Sequence, residues 1–311
     1  MKRGVLCFGG LALDYILLVP RLPGKNEAVD VQELSVTFGG AAANVAVTVA
    51  KLGGSAGLVA AAGKDFMSSG YRHYLFSLGI DLRGVLERDD MYMPRCFLVS
   101  RGDDQMIFYY EERQKVKEVL LENLGMLREL AKHYKILHFS TGDFEVYLQF
   151  LESYTKLPGQ KISVDPGQQT FSETALAARL VQLADYVFMN EHEWKRLAEY
   201  FGVEHPGQLG KELVVVSRGE QGAVIYWQGK ELAVPACRPA RVEDPTGCGD
   251  AHRGAFLFAL LAGLDVAKAA RLASAVASFV VEARGAQTNL PDIRRAAERY
   301  ENCFGEPLQM P

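Results

Sequence analysis

Neither sign of charge dominates this sequence: 34 Lys and Arg face 38 Asp and Glu, a formal net charge of −4 over 311 residues. That balance gives no global pull toward nucleic acid or an anionic membrane, so any phosphate recognition must be local. No apolar run approaches the ~20 residues that a membrane-spanning helix needs. The stretch Gly4-Val5-Leu6-Cys7-Phe8 behind Met1-Lys2-Arg3 stops at Gly9-Gly10, so it reads as a buried strand and not as a signal peptide. The 5 cysteines (Cys7, Cys96, Cys237, Cys248, Cys303) show no C-x-x-C spacing and no accompanying histidine cluster. A disulfide framework or zinc site is therefore not expected, and reduced thiols in a cytoplasm fit best. Two nucleotide motifs are missing as well. Ala62-Gly63-Lys64-Asp65 carries Asp65 where a P-loop needs Ser or Thr, and Gly9-Gly10 lacks the G-x-G-x-x-G spacing and precedes extended chain. That disfavours a dinucleotide-dependent oxidoreductase. There is no repeat, low-complexity tract or Ser/Pro linker, so residues 1–311 are expected to form one domain.

What is present is an alternation of strand and helix patterns. Strands are expected at Val5–Phe8, Gly57–Ala61, Ile136–Phe139, Ile162–Val164, Tyr186–Met189 and Val214–Ser217. Helices are expected at Ala41–Leu52, Ser69–Leu78, Val119–His133 and Val266–Arg284, with a late hairpin of Val224–Trp227 and Glu231–Val234. This rhythm argues for a parallel sheet covered by helices on both faces. Four extended pieces do not fit it: Leu13–Val19, Glu27–Thr37, Arg95–Arg101 and Gln105–Tyr110, the last two flanking Gly102-Asp103-Asp104. They predict a small separate sheet, a lid formed by about residues 12–38 and 92–112.

Polar residues at the carboxyl ends of parallel strands are the ones to inspect for chemistry. In Asp244-Pro245-Thr246-Gly247-Cys248-Gly249-Asp250, a glycine turn runs into an alanine-rich helix. The N–H groups of Gly247, Cys248 and Gly249 then lie at a helix N-terminus, which favours anions and phosphate above all. A carboxylate beside such a site suits a general base that takes a proton from an attacking hydroxyl. Asp14, in an otherwise apolar run, needs hydrogen-bond donors, which vicinal sugar hydroxyls would supply; a surface turn is the plain alternative. Gly39-Gly40-Ala41-Ala42-Ala43-Asn44 opens a helix with small residues before an amide, which suits either hydroxyl binding or tight packing. Asn190 and Glu193 have capping-box spacing, and equally could organise water or Mg²⁺ beside a nucleotide. Ser217, Arg218, Gly219 and Gly222 follow a strand and could line phosphate or form an ordinary turn.

Taken together and in this order, these motifs resemble the ribokinase-like (PfkB) kinase family, from Gly9 to Pro291. Thr141-Gly142-Asp143, Asp165-Pro166-Gly167-Gln168, Asn190-Glu191-His192-Glu193 and Asp244-Pro245-Thr246-Gly247 are similar to the archaeal broad-specificity nucleoside kinases. Asp-Pro-Thr-Gly with an Arg soon after the catalytic Asp is also found in bacterial adenosine kinases. The resemblance implies an α/β fold: a three-layer α/β/α sandwich with a mostly parallel central sheet and a small β-sheet lid. It implies ATP-dependent phosphorylation of a nucleoside 5′-hydroxyl, or of a sugar in the alternative reading, with Asp250 as general base. ATP and Mg²⁺ would be the cofactors, with a monovalent cation as a further candidate. Asp14, Gly39, Gly40 and Asn44 would hold the ribose. Gln168 would contact the base or ribose, and Phe108 of the lid would stack. Asn190, Ser217, Gly219, Gly222 and Thr246 would line the nucleotide, and Glu193 would reach the metal through water. The partner would be a small molecule, not nucleic acid or membrane, and a homodimer could pair through the exposed edges of the lid. Cys248 stands where alanine is frequent, and His252 and Glu111-Glu112-Arg113 also depart from the pattern. A non-catalytic sensor of the same fold would be a third reading.

Overall fold

The structure, a computed structural model, describes residues 4–101 and 104–310; part of the Gly102-Asp103-Asp104 turn lies outside them. Strand β1 (Gly4–Phe8) is followed by β2 (Ala12–Leu18), β3 (Glu33–Gly39), α1 (Ala41–Lys51) and β4 (Ser55–Gly63). Then come α2 (Tyr71–Ser77), β5 (Asp81–Arg88), β6 (Arg95–Arg101), β7 (Asp104–Tyr110), α3 (Arg113–Glu122) and α4 (Leu124–Ala131). The middle of the chain forms β8 (Ile136–Phe139), α5 (Phe144–Glu152), β9 (Lys161–Val164), α6 (Thr174–Leu183), β10 (Tyr186–Asn190) and α7 (Glu191–Phe201). It closes with β11 (Leu213–Ser217), β12 (Ala223–Trp227), β13 (Lys230–Val234), α8 (Cys248–Leu261), α9 (Val266–Val280) and α10 (Ile293–Phe304).

The large sheet runs β13-β12-β11-β10-β9-β8-β1-β4-β5, parallel from β5 to β11 and antiparallel through the last hairpin. Every residue of β1 is buried, as a central strand covered on both faces requires. The alternation of side chains along it divides the core in two. Val5 and Cys7 join α1, α8 and α9 on one face, while Leu6 and Phe8 join α4, α5 and α6 on the other. Fully burying one such Leu or Phe contributes about 1.5–3 kcal/mol, so this central strand is a large part of what holds the layers together.

Strands β3-β2-β6-β7 form the second sheet. Asp14 pairs with Thr37 and Cys96, and Cys96 pairs with Tyr109, so these residues form one row across it. The neighbouring row is Tyr15, Phe97 and Phe108, on the opposite face, and the Tyr15 and Phe97 rings stack at 5.1 Å. β7 is exposed along its whole length, so this sheet keeps an open edge.

Several expectations need correction. β5, with sequence DLRGVLER, was not expected; it is a half-exposed edge whose charges hide the strand period. The helix expected at Val119–His133 is two helices, parted at Asn123, whose side chain bonds the carbonyl of Val119 at 2.8 Å. The helix expected to Arg284 ends at Val280. Cys237 and Cys303 are joined by a disulfide, with Cα atoms 5.6 Å apart, contrary to the expectation of reduced thiols. The two lie 66 residues apart, so no local spacing announces the pair.

Candidate active site

The site forms where α8 begins, beyond the carboxyl ends of β1, β9 and β10. Gly247 caps α8 with φ +76°, a left-handed conformation, and a Cβ there would lie 2.2 Å from the Cβ of Ala286. Only glycine meets both demands. Asp244 shapes the turn before it, accepting from Thr246 N–H at 2.9 Å and from Gly285 N–H at 3.0 Å. At the helix start, the Cys248 N–H is taken by the Pro245 carbonyl at 3.1 Å. The expected three-donor anion hole is therefore reduced at Cys248, while Gly247 and Gly249 donate to no backbone carbonyl among the described residues. The Cys248 thiol turns toward the carbonyl of Ala277, and burial pushes it up to about 11, so it is held as a thiol.

Asp250, in the first turn of α8, projects into a buried cluster. Its Oδ2 accepts from Asn44 Nδ2 at 2.8 Å, and Arg253, one turn later on the same helix, approaches Oδ1 at 3.5 Å. Burial raises the Asp250 carboxyl above the usual carboxylate range, while Arg253 and the Asn44 bond pull it back and Glu193 adds to the rise. Arg253 also meets Asp165, at the end of β9, at 2.5 Å. Burial pushes Asp165 up and Arg253 opposes it. Arg253 and Asp165 were not among the expected site residues. The Asp-x-x-Arg spacing was visible, but the partner 88 positions earlier was not. His252 is kept neutral, pushed down to about 4 by burial and then by Arg253.

Asp14 approaches from β2. Gly39 makes room for it: a Cβ there would lie 2.0 Å from Asp14 Oδ2. The carboxylate is 6% exposed and has no hydrogen-bond donor among the described residues. Burial, then the charges of Asp250 and Asp244, push it up to about 7. A buried acid in that state is poised for a ligand that brings donors. Gly40 caps α1 and so places Asn44 one turn inside that helix.

The other expected residues divide. Asn190 and Glu193 close a capping box: Asn190 Oδ1 accepts from the N–H groups of His192 and Glu193, and both Glu193 oxygens accept from Asn190. Ser217 and Arg253 line a small cavity with Gly249, Met189 and His252. Gly222 packs against the backbone of β13, and Gly219 begins a short 3₁₀ turn, so both also serve that turn. Thr246 is half-buried beside the cap of α8. Gln168 is exposed, whereas its neighbour Gln169 accepts from Gly142 N–H at 3.1 Å. Phe108 lies on the face of the lid opposite Asp14, and Tyr109 shares Asp14's face, as a strand's period of two requires.

A carboxylate at a helix N-terminus, with a second acid nearby, is an arrangement that suits phosphoryl transfer to a hydroxyl group. The chain matches the pfkB family carbohydrate kinases over residues 2–293 and belongs to that family. It is 33% identical to the nucleoside kinase of Methanocaldococcus jannaschii, with 96% of each chain covered. It is 34% identical to the nucleoside kinase of Methanothermobacter thermautotrophicus, over 97% of each. The solved Methanocaldococcus jannaschii nucleoside kinase superposes with a TM-score of 0.87, covering 97% of this chain and 99% of that one. The Burkholderia thailandensis nucleoside kinase in complex with inosine superposes with a TM-score of 0.86 at 27% identity, covering 98% and 100%. Among the described residues, no helix is long and apolar enough to cross a membrane.

Proposed function

We propose that this enzyme transfers the γ-phosphoryl group of ATP to the 5′-hydroxyl of a nucleoside, with Asp250 as the general base. The observation that carries the reading is the pairing of two acids, Asp14 buried and Asp250 mostly buried, in one cleft. Asp250 is held by Asn44 at a helix N-terminus, and Asp14 waits without a donor. Two hydroxyls of a ribose would satisfy Asp14, which leaves the sugar's third hydroxyl to face Asp250. The raised affinity of Asp250 for a proton suits a base that must accept one as the oxygen attacks. The N–H groups of Gly247 and Gly249 and the guanidinium of Arg253 would receive charge on the transferred group. The names of the nucleoside kinase relatives, and the neighbour's complexes with inosine and with ADP-inosine, support nucleoside and adenine nucleotide.

Mg²⁺ fits as a cation carried by the phosphates. Among the described residues no group of three or more His, Cys, Asp or Glu could hold a metal by itself. Glu193 still has a free lone pair on each oxygen and acts electrostatically on Asp250, Asp165 and Arg253, so it would reach the metal through water. When bound, the metal supplies charge neutralisation on the phosphates. Ser217 and Thr246 would border the nucleotide. Tyr109, which shares Asp14's face of the lid, would be the aromatic that meets a nucleobase. A coupled ADP-release screen over nucleosides, ribose, fructose and sugar phosphates tests the reading. Turnover with at least one nucleoside is expected to exceed that with free ribose; preference for a free sugar or sugar phosphate would replace this reading with a sugar kinase.

A further inference from the structure

Asn44 spends both ends of its amide inside the protein. Its Nδ2 donates to Asp250, and its Oδ1 accepts from Gln287 Nε2 at 2.8 Å. Gln287 Nε2 also donates to the Tyr71 hydroxyl at 2.7 Å, and that hydroxyl donates to the carbonyl of Gly39 at 2.9 Å. All three side chains are at least nine-tenths buried: Asn44 is 5% exposed, Gln287 7% and Tyr71 0%. The chain thus joins α8, α1, the segment after α9, α2 and the end of lid strand β3. Its polarity has only one sense. The Gly39 carbonyl can only accept, so Tyr71 must donate to it and accept from Gln287. Gln287 must then present its amino group, and Asn44 must turn its oxygen to Gln287 and its amino group to Asp250. Were Asn44 reversed, its oxygen would face the Asp250 carboxylate. The Tyr71 ring is fixed in turn by stacking on Phe38 at 4.3 Å.

We propose that Gln287 and Tyr71 are positioning residues for the phosphoryl-transfer step, acting on Asp250 through the orientation of the Asn44 amide. The inference rests on the reading of Asp250 as general base. The Asn44 bond favours the ionised carboxylate, so losing it removes one of the two interactions that oppose burial. The other charged and titratable groups facing Asp250 are Arg253 and Cys248 on its own helix, Asp165 at the end of β9, Glu193 on α7 and Asp14 on β2. Gln287 hydrogen-bonds to none of these.

A double-mutant cycle over wild type, Asn44→Ala, Gln287→Leu and the pair tests this, by ADP release with ATP, Mg²⁺ and inosine, or ribose if inosine is inert. Gln287→Leu is expected to lower kcat about tenfold with the acceptor KM changed less than about threefold, and to cost under twofold when Asn44 is already Ala. Equal losses in both backgrounds, or a loss carried by KM, would overturn it. Gln287→Glu, whose ionised side chain cannot donate to Asn44, is expected to move the acid limb of the kcat profile to higher pH; an unmoved limb overturns the proposal. Tyr71→Phe keeps the stacking on Phe38 and loses only the hydroxyl, so it should reproduce part of the kcat loss. Circular dichroism selects the variants that fold, and Gln287→Glu carries the test if Gln287→Leu does not. Asp250→Asn separates the two readings: turnover retained by it removes the general base and this inference together. Turnover lost by it, with additive Asn44 and Gln287 effects, removes the inference alone.

Discussion

The start of α8 and the lid sheet face the same cleft and are built on opposite terms. Around α8, side chains are mostly buried and held by partners, Asp250 by Asn44 and Arg253 by Asp165, and Ala286 leaves room for nothing larger than glycine at 247. In the lid, β7 is exposed throughout, and Leu34 (60%), Ile107 (56%) and Phe108 (57%) meet solvent. A phosphoryl-transfer geometry tolerates little displacement, so it belongs on the packed wall. Recognition of the rest of the acceptor can be left to a surface that changes residue by residue without unfolding anything. On that view, substitutions at the wall fall on kcat and stability, and those in the lid fall on KM.

The largest expected effect tests the wall itself. Asp250→Asn keeps the Asn44 contact in shape and removes the proposed base, so kcat should fall about 10²–10⁴-fold while acceptor binding measured by calorimetry persists. Wild-type turnover in this variant would erase the distinction drawn above. Arg253→Leu comes next, because it leaves Asp165 buried without its partner. A loss of about 3–5 kcal/mol in chemical denaturation is expected, by the general cost of stranding a buried charge. A change below about 1 kcal/mol would mean that Asp165 is already neutral.

Asp14 sits between the two regions, and its behaviour has a sign. Its carboxyl is pushed up to about 7 in the fold from an ordinary 3.8. The favourable protonated state is fully populated below the unfolded value, and that contribution is lost as pH rises through about 7. Asp14→Asn should therefore raise Tm at pH 8 and change it little at pH 4. The acceptor KM of the wild type should rise as pH falls below 7, up to about tenfold per unit, and the Asn variant should have a high, flat KM. Flat KM in the wild type would remove Asp14 from acceptor binding. The smallest expected effect belongs to the lid: Tyr109→Ala should raise the nucleoside KM about three- to tenfold, with Phe108→Ala nearly silent. The reverse order would mean that the outer face of the sheet contacts the acceptor.

Much of this molecule was legible in its sequence because it rests on local signals. The central strands show as β-branched runs, α8 begins within its glycine turn, and the lid strands stood apart from the βαβ rhythm. What was illegible depends on position across space. β5 gave no strand signal because an edge strand need not be apolar on either face. The aromatic type of Phe108 is visible in sequence, whereas its strand phase against Asp14 is not. Nothing in the sequence ties Gln287 and Tyr71 to each other; their sequence separation is 216 residues, and only the folded chain brings them to Asn44. Asn190 and Glu193 show the reverse case, since their spacing announced the capping box that the structure contains.

One feature of Asp14 reaches beyond the cleft. If acceptor hydroxyls bind only its ionised form, then near pH 7 each binding event must expel a fraction of a proton into the medium. Protons and sugar become rivals for the same two oxygens, and acidification then acts as a competitive inhibitor that needs no site of its own.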